Sequence, residues 1–149
     1  MSDGMSSLYQ ELILDLSRRP HGKGLLETAD ASSHQVNPTC GDEVTLQIGL
    51  EPGTDRIGAL RWDGDGCAIS QASASMFADL APGLTVADLR ERIDAFRTAM
   101  RSKGTIEPDE DLLGDAVALG GVSRYTARVK CAMLAWVAGE DALAKLPEA

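Results

Sequence analysis

Between Val44 and Trp62 the hydrophobic pattern shifts toward a period of two, in a chain whose other apolar stripes repeat every three to four residues. That contrast restricts the fold more than any other feature. Val44, Leu46, Ile48 and Leu50 alternate with Thr45, Gln47 and Gly49, as in a half-buried strand whose successive side chains point to opposite faces. Glu51-Pro52-Gly53-Thr54-Asp55 supplies a turn, and Ile57, Leu60 and Trp62 read as the returning strand of a hairpin or meander. Ahead of it, Leu8, Leu12, Ile13 and Leu16 mark an amphipathic helix that Pro20-His21-Gly22-Lys23-Gly24 stops, and the pattern weakens from Ala31 to Val36.

Helical spacing resumes after Gly66 with the small-residue run Ala68 to Phe77, ended by Pro82-Gly83. Thr85-Val86-Ala87-Asp88 resembles a capping box with Asp in place of Glu, opening a helix to about Met100 whose inner stripe is Leu89, Ile93, Phe96 and Met100. Glu107 to Asp111 reads as a solvated acidic loop, Leu112 to Leu119 as a short element, and Gly120-Gly121 as a break. Arg124 to Val137 is then a third long helix, with Val129, Ala132, Met133 and Trp136 facing inward. The order predicts an α+β fold with helices packed on one face of a small antiparallel sheet. With 149 residues, no internal repeat and no low-complexity linker, the reading is one domain over 1–149, with 1–7 as a frayed start.

Charge narrows the partners. A net charge of -9 opposes binding to nucleic acid or anionic lipid, which rely on Lys and Arg to neutralise phosphate, and favours a basic protein partner. No apolar run approaches the roughly 20 residues of a membrane-spanning helix, and Met1 to Ser7 carries neither the basic nor the apolar region of a secretory signal. The expectation is a soluble, cytoplasmic chain with reduced thiols.

Three cysteines make up the whole complement: Cys40 in Pro38-Thr39-Cys40-Gly41-Asp42, Cys67 in Gly64-Asp65-Gly66-Cys67-Ala68, and Cys131 in Lys130-Cys131-Ala132. An odd number cannot close into an intramolecular disulfide framework. In an extended segment Cys40 and Asp42 face the same side, and Cys67 falls where a strand yields to a helix, whose N-terminal amides favour a thiolate. Three thiolates and one carboxylate suit zinc, and equally an iron-sulfur cluster. Each residue also has a plain reading. Cys131 sits among inward-facing helical positions as a packing residue, and Asp42 can cap a turn. No CxxC pair marks the site, and His21 and His34 read as solvated loop residues.

Read together, these segments resemble the SufU branch of the IscU/NifU-like iron-sulfur assembly proteins. The matching stretches are Asn37 to Asp42, Gly64 to Ser70 with Ala72 to Met76, and Ala127 to Ala132, supported by Leu8-Tyr9-Gln10-Glu11 and by Asp15 to Gly24. Lys130 stands where IscU scaffolds place a histidine, and the stretch containing Gly114-Asp115 and Gly120 to Ser123 resembles the SufU insertion. Thr126 replaces a common proline and Leu16 a common histidine.

The resemblance implies a three-stranded SufE/NifU-like, IscU-type fold. It further implies zinc bound by Cys40, Asp42, Cys67 and Cys131, Cys40 as sulfur acceptor, and Arg128 in support near the metal. The implied partners are a SufS-type cysteine desulfurase and the SUF cluster-assembly machinery, with a desulfurase histidine displacing Cys40 from zinc. The alternative is a scaffold holding iron or an iron-sulfur cluster on the same ligands. A zinc hydrolase ranks last, because four protein ligands leave no position for water. Trp62 and Trp136 read as core residues, and Arg18, Arg19 and Lys23 as a solvated cluster.

Overall fold

A computed structural model of the chain describes residues 3–38 and 41–146. The elements run α1 (Asp3–Arg18), β1 (Ala31–Asn37), β2 (Asp42–Leu50), β3 (Ile57–Asp65), α2 (Ala68–Leu80), α3 (Val86–Arg101), α4 (Glu110–Leu113), a 3-10 segment (Gly114–Arg124) and α5 (Thr126–Ala144). The strands form one antiparallel sheet in the order β1-β2-β3. α5 packs on β1 and β2, α2 on β3 and α5, and α1 on α2, so the helices lie on one face as the sequence predicts.

The sheet explains two irregularities in the sequence pattern. β1 alternates buried and exposed positions like its neighbour, but its inward residues are Ala31, Ser33 and Asn37. An alternation of small and polar side chains carries no hydrophobic signal, which is why Ala31 to Val36 looks patternless. In β3 the buried residues Ile57 and Leu60 are three apart, because the register shifts at Gly49/Leu50 and Gly58 is bulged out of the ladder. The bulge restores both side chains to one face. Beyond β3, the loop at 21–24 bonds along the edge: Trp62 donates to the Gly22 carbonyl and accepts from the Gly24 amide. That edge is thereby covered.

Helix boundaries follow local chemistry. Thr85 caps α3 by accepting from the Asp88 amide at 3.0 Å, and Leu89, Ile93, Phe96 and Met100 are buried as their spacing predicts. Leu16 of α1 enters the core while Leu8 stays exposed. The acidic stretch differs from a plain loop. Asp109 caps α4, whose first turn holds Glu110 and Asp111, although their carboxylates remain exposed. Gly120-Gly121 does not interrupt the chain either, since the 3-10 segment runs through both and buries Ala116, Leu119 and Val122. The tight turns need no side chain at those two positions because the flanking residues supply the apolar face.

The helical layer is centred on Trp136 of α5. Its ring stacks on Phe77 of α2 at 4.3 Å and on Phe96 of α3 at 4.0 Å. Close approach of α5 to α2 depends on Gly139, where a Cβ would stand 2.5 Å from the Phe77 ring. Gly139→Ala should therefore destabilise the protein by about 1–3 kcal/mol through overpacking, even though alanine is the better helix former by about 1 kcal/mol. Thermal or urea unfolding of that variant checks the sign, and a stabilised protein would contradict the packing.

Candidate metal centre

The site forms where three elements end together. Asp42 begins β2 directly opposite Asn37, the last residue of β1, and the neighbouring Glu43 pairs with Asp65 at the end of β3. Two residues past Asp65, Cys67 takes an extended backbone conformation as the N-cap of α2. Cys131 lies in the second turn of α5. One carboxylate oxygen of Asp42 and the sulfurs of Cys67 and Cys131 all lie within 4.8 Å of one another. Asp42 and Cys131 are buried and Cys67 is exposed, so the group is reached from the Cys67 side.

The two oxygens of Asp42 have different surroundings. Oδ1 accepts the Cys67 amide at 3.0 Å, which supplies the start of α2 with a carboxylate from another strand. Oδ2 is buried and has no hydrogen-bond partner among the described residues. Leaving a carboxylate oxygen buried and unsatisfied is costly. A cation next to it and two thiols removes that cost, and the donor set of one carboxylate oxygen and two sulfurs suits zinc. Asp42 thus acts as both cap and candidate ligand, the two readings the sequence left open.

Supporting bonds hold the Cys67 turn. Its carbonyl accepts from Ser70 Oγ at 3.1 Å and from the Gln71 amide at 3.1 Å, and Gln71 Nε2 donates to the Gly66 carbonyl at 3.0 Å. Gly66 leaves room for this convergence: a Cβ there would collide with Ser70 Oγ and stand 2.9 Å from Asp42 Oδ1. Sequence reading singled out the Gly-Asp-Gly-Cys run but missed Ser70 and Gln71 as supports, since a serine and a glutamine early in a helix carry no distinctive signal.

The remaining sequence-predicted residues are spread around this centre. Cys40, read as the fourth donor and sulfur acceptor, lies outside the described residues. Arg128 is exposed in the first turn of α5, three residues before Cys131 and so on an adjoining part of the helix surface. Thr126 occupies the first position of α5, where proline is commonly accommodated, and Leu16 is a core residue. His21 pairs with Asp79 at 2.6 Å, and His34 contacts Thr45 at 2.8 Å and Glu43 at 3.3 Å. Neither histidine joins the candidate ligand group.

Arg101, Lys103, Arg124, Arg128 and Lys130 are exposed and make no ion pair among the described residues. Arg101 and Lys130 border a groove with Val36, Val129, Met133 and Val137 along it, which runs beside Asn37 and Pro38. Exposed acids adjoin the same site: Glu43 follows Asp42, and Asp63 and Asp65 precede Cys67. Among the described residues, no helix is long and apolar enough to cross a membrane.

Gly66→Ala tests the cradle. The methyl group should force Ser70 or Asp42 aside, weaken zinc binding at least tenfold in a competition titration with a chromophoric chelator, and cost about 1–3 kcal/mol of stability. Unchanged zinc affinity would show that the close approach at Gly66 is irrelevant to the centre.

Comparison with known proteins bears on the same residues. Residues 8–132 match the NifU-like N-terminal domain family. The chain is 37% identical over 142 residues to the zinc-dependent sulfurtransferase SufU of Bacillus subtilis, covering 95% of this chain and 92% of that one. It is 34% identical to the iron-sulfur cluster assembly scaffold protein IscU of Streptococcus pyogenes, covering 93% and 84%. The crystal structure of the SUF-system protein FiSufU from Fervidobacterium islandicum AW-1 superposes with a TM-score of 0.79 at 35% identity, covering 94% of this chain and 99% of that one. An antiparallel three-stranded sheet backed by helices, a thiol and carboxylate cluster at its end and similarity along nearly the whole sequence agree: the chain belongs to the NifU-like N-terminal domain family that includes SufU and IscU.

Proposed function

We propose that the chain is a zinc-dependent sulfur acceptor in iron-sulfur cluster assembly, with residues 1–149 acting as one domain in the cytoplasm. It would take persulfide sulfur from a SufS-type cysteine desulfurase and deliver it to the SUF machinery. The observation that carries the reading is the Asp42 carboxylate beside the Cys67 and Cys131 sulfurs, with its buried Oδ2 lacking a hydrogen-bond partner among the described residues. The similarity to the Bacillus subtilis zinc-dependent sulfurtransferase supports it, as does the cationic rim formed by Arg101, Arg128 and Lys130, which complements an acidic partner surface.

In this mechanism Cys40, Asp42, Cys67 and Cys131 would hold the metal. Bound zinc keeps the thiolates deprotonated without redox chemistry. The Cys40 thiolate attacks the terminal sulfur of the partner's persulfide; the bond between the two partner sulfurs breaks, the partner cysteine leaves as a thiolate, and Cys40 carries the new persulfide. Cys131 is fixed within a helix and Asp42 within a strand, so neither is free to follow a substrate. Arg128, exposed in the first turn of α5 three residues before Cys131, would meet the negative charge of an incoming persulfide.

A scaffold that binds iron or a cluster through the same ligands is the second reading, favoured by the 34% identity to the Streptococcus pyogenes IscU. Protein purified without added iron separates the two. The relay reading expects one zinc per chain and no visible absorption, whereas a brown protein containing iron and sulfide supports the scaffold. Because the ligands come from distant parts of the chain, chelating the zinc should lower the melting temperature markedly, and an unchanged value would remove the metal from the fold's energetics.

Two substitutions divide the roles within the site. Asp42→Asn retains an oxygen for the Cys67 amide and replaces the candidate ligand oxygen with an amide nitrogen, so zinc affinity should drop at least tenfold while the metal-free protein keeps its fold. Cys40→Ser should abolish persulfide formation on the chain, read by mass spectrometry after incubation with the desulfurase and cysteine. Persulfide appearing on Cys67 or Cys131 while Cys40 is intact and unmodified would overturn the assignment of Cys40.

A further inference from the structure

α2 carries three buried serines, and they are used differently. Ser70 donates to the carbonyl of Cys67, and Ser75 donates to that of Gln71 while accepting from the His21 amide at 3.0 Å, so neither reaches α5. Ser73 instead reaches across to α5. Fully buried, it donates to the Ala132 carbonyl at 2.6 Å and accepts from Trp136 Nε1 at 2.8 Å. Its donor and one acceptor position are both satisfied by α5, at residues one helical turn apart.

The location of this contact gives it a consequence for the thiols. Ala132 directly follows Cys131, and Ser73 lies six residues along α2 from Cys67, about 9 Å of helix. Buried small residues flank this bond on both helices, Ala72 and Ala74 on α2 and Ala132, Ala135 and Gly139 on α5. Phe77 of α2 packs over Gly139 and against Trp136 at the end of this contact away from the thiols, and nearer to Cys131 the small residues permit close approach but give little resistance to sliding. A pair of buried hydrogen bonds is directional and resists it. Trp136, held between Phe77 and Phe96, makes the α5 side of the contact rigid.

We infer that Ser73 is a positioning residue for the metal centre: its hydroxyl bolts α5 to α2 one residue past Cys131 and so sets the separation of the Cys67 and Cys131 sulfurs. The inference rests on the metal-binding reading above, and its geometry is also testable without metal. It touches no ligand itself and acts through the placement of α5.

The test compares Ser73→Ala with Ile57→Val in the full-length chain. Ile57 is a core residue paired with Leu50, at the end of the sheet away from Asp42, so it serves as a control for general destabilisation. Ser73→Ala should weaken Co²⁺ binding at least tenfold and reduce the thiolate-to-cobalt absorption. In the metal-free chain it should slow diamide-driven crosslinking of Cys67 to Cys131 several-fold, read by mass spectrometry. Ile57→Val should lower the melting temperature and leave both readouts unchanged. If Ser73→Ala does not fold, Trp136→Phe removes the N–H donated to Ser73 while keeping an aromatic ring in place, and should shift both readouts in the same direction to a smaller extent. Wild-type affinity and crosslinking rate in the folded variants, or losses matched by Ile57→Val, overturn the proposal. Wild-type protein that binds neither Co²⁺ nor Zn²⁺ sinks the metal reading, and the crosslinking rates then decide the role of Ser73 alone.

Discussion

The Trp136 ring holds the helical layer of this protein together. The chain contains two tryptophans and two phenylalanines in all, and three of these four rings meet at one point, from α2, α3 and α5. Each large ring buries on the order of 150–250 Å², so this stack concentrates a large share of the apolar burial in a core otherwise built mostly from aliphatic side chains, with Trp62 on the sheet. α5 lies against both the sheet and α2, and fixing it therefore fixes the elements that converge on the thiols. The other end of α5 is tied more weakly, where Asp141 accepts from Ser33 at 2.7 Å and pairs with Lys145 at 3.1 Å. The Ser33 hydrogen bond, with help from Lys145, holds the Asp141 carboxyl below its ordinary range. This contact is thus strongest while Asp141 is ionised and is lost as acid protonates it.

The centre itself combines rigidity with access. Asp42 and Cys131 are buried on a strand and a helix, whereas Cys67 is exposed at a helix start. A ligand group of that kind can keep its geometry while one side is open to a second protein. Of the cations without an ion-pair partner among the described residues, Arg101, Lys103, Arg124, Arg128 and Lys130 lie at the end of α3 and at or before the start of α5, whereas Arg18, Arg19, Lys23, Arg56, Arg61 and Arg90 lie elsewhere. Net charge is a sum over the whole surface, whereas docking responds to the field of one face.

Much of this architecture is legible in the sequence wherever a side chain has to satisfy its own local surroundings. Val44 to Leu50 alternate because a half-buried strand leaves no other arrangement, Thr85 announces α3 by capping it, and Leu89 to Met100 mark the face of a helix through its own period. The association of Cys40, Asp42, Cys67 and Cys131 also came from sequence, through motif order and resemblance, and the structure brings three of the four together. β1 escaped notice because its inward residues are Ala, Ser and Asn, and the acidic stretch hid α4 because exposed carboxylates suit a loop and a helix start equally well.

What the sequence determined by itself was the set of elements and the chemical types at the site, since periodicity, capping and donor identity are local properties of the chain. Only the tertiary structure decided that Asp42 gives one oxygen to the Cys67 amide and leaves the other without a partner among the described residues, that Gly66 makes space for both, and that Ser73 spans two helices next to Cys131. These are relations between residues far apart along the chain. Each depends on distances of a few ångströms that arise only when α5 closes over the sheet and α2, and no local pattern of residues encodes them.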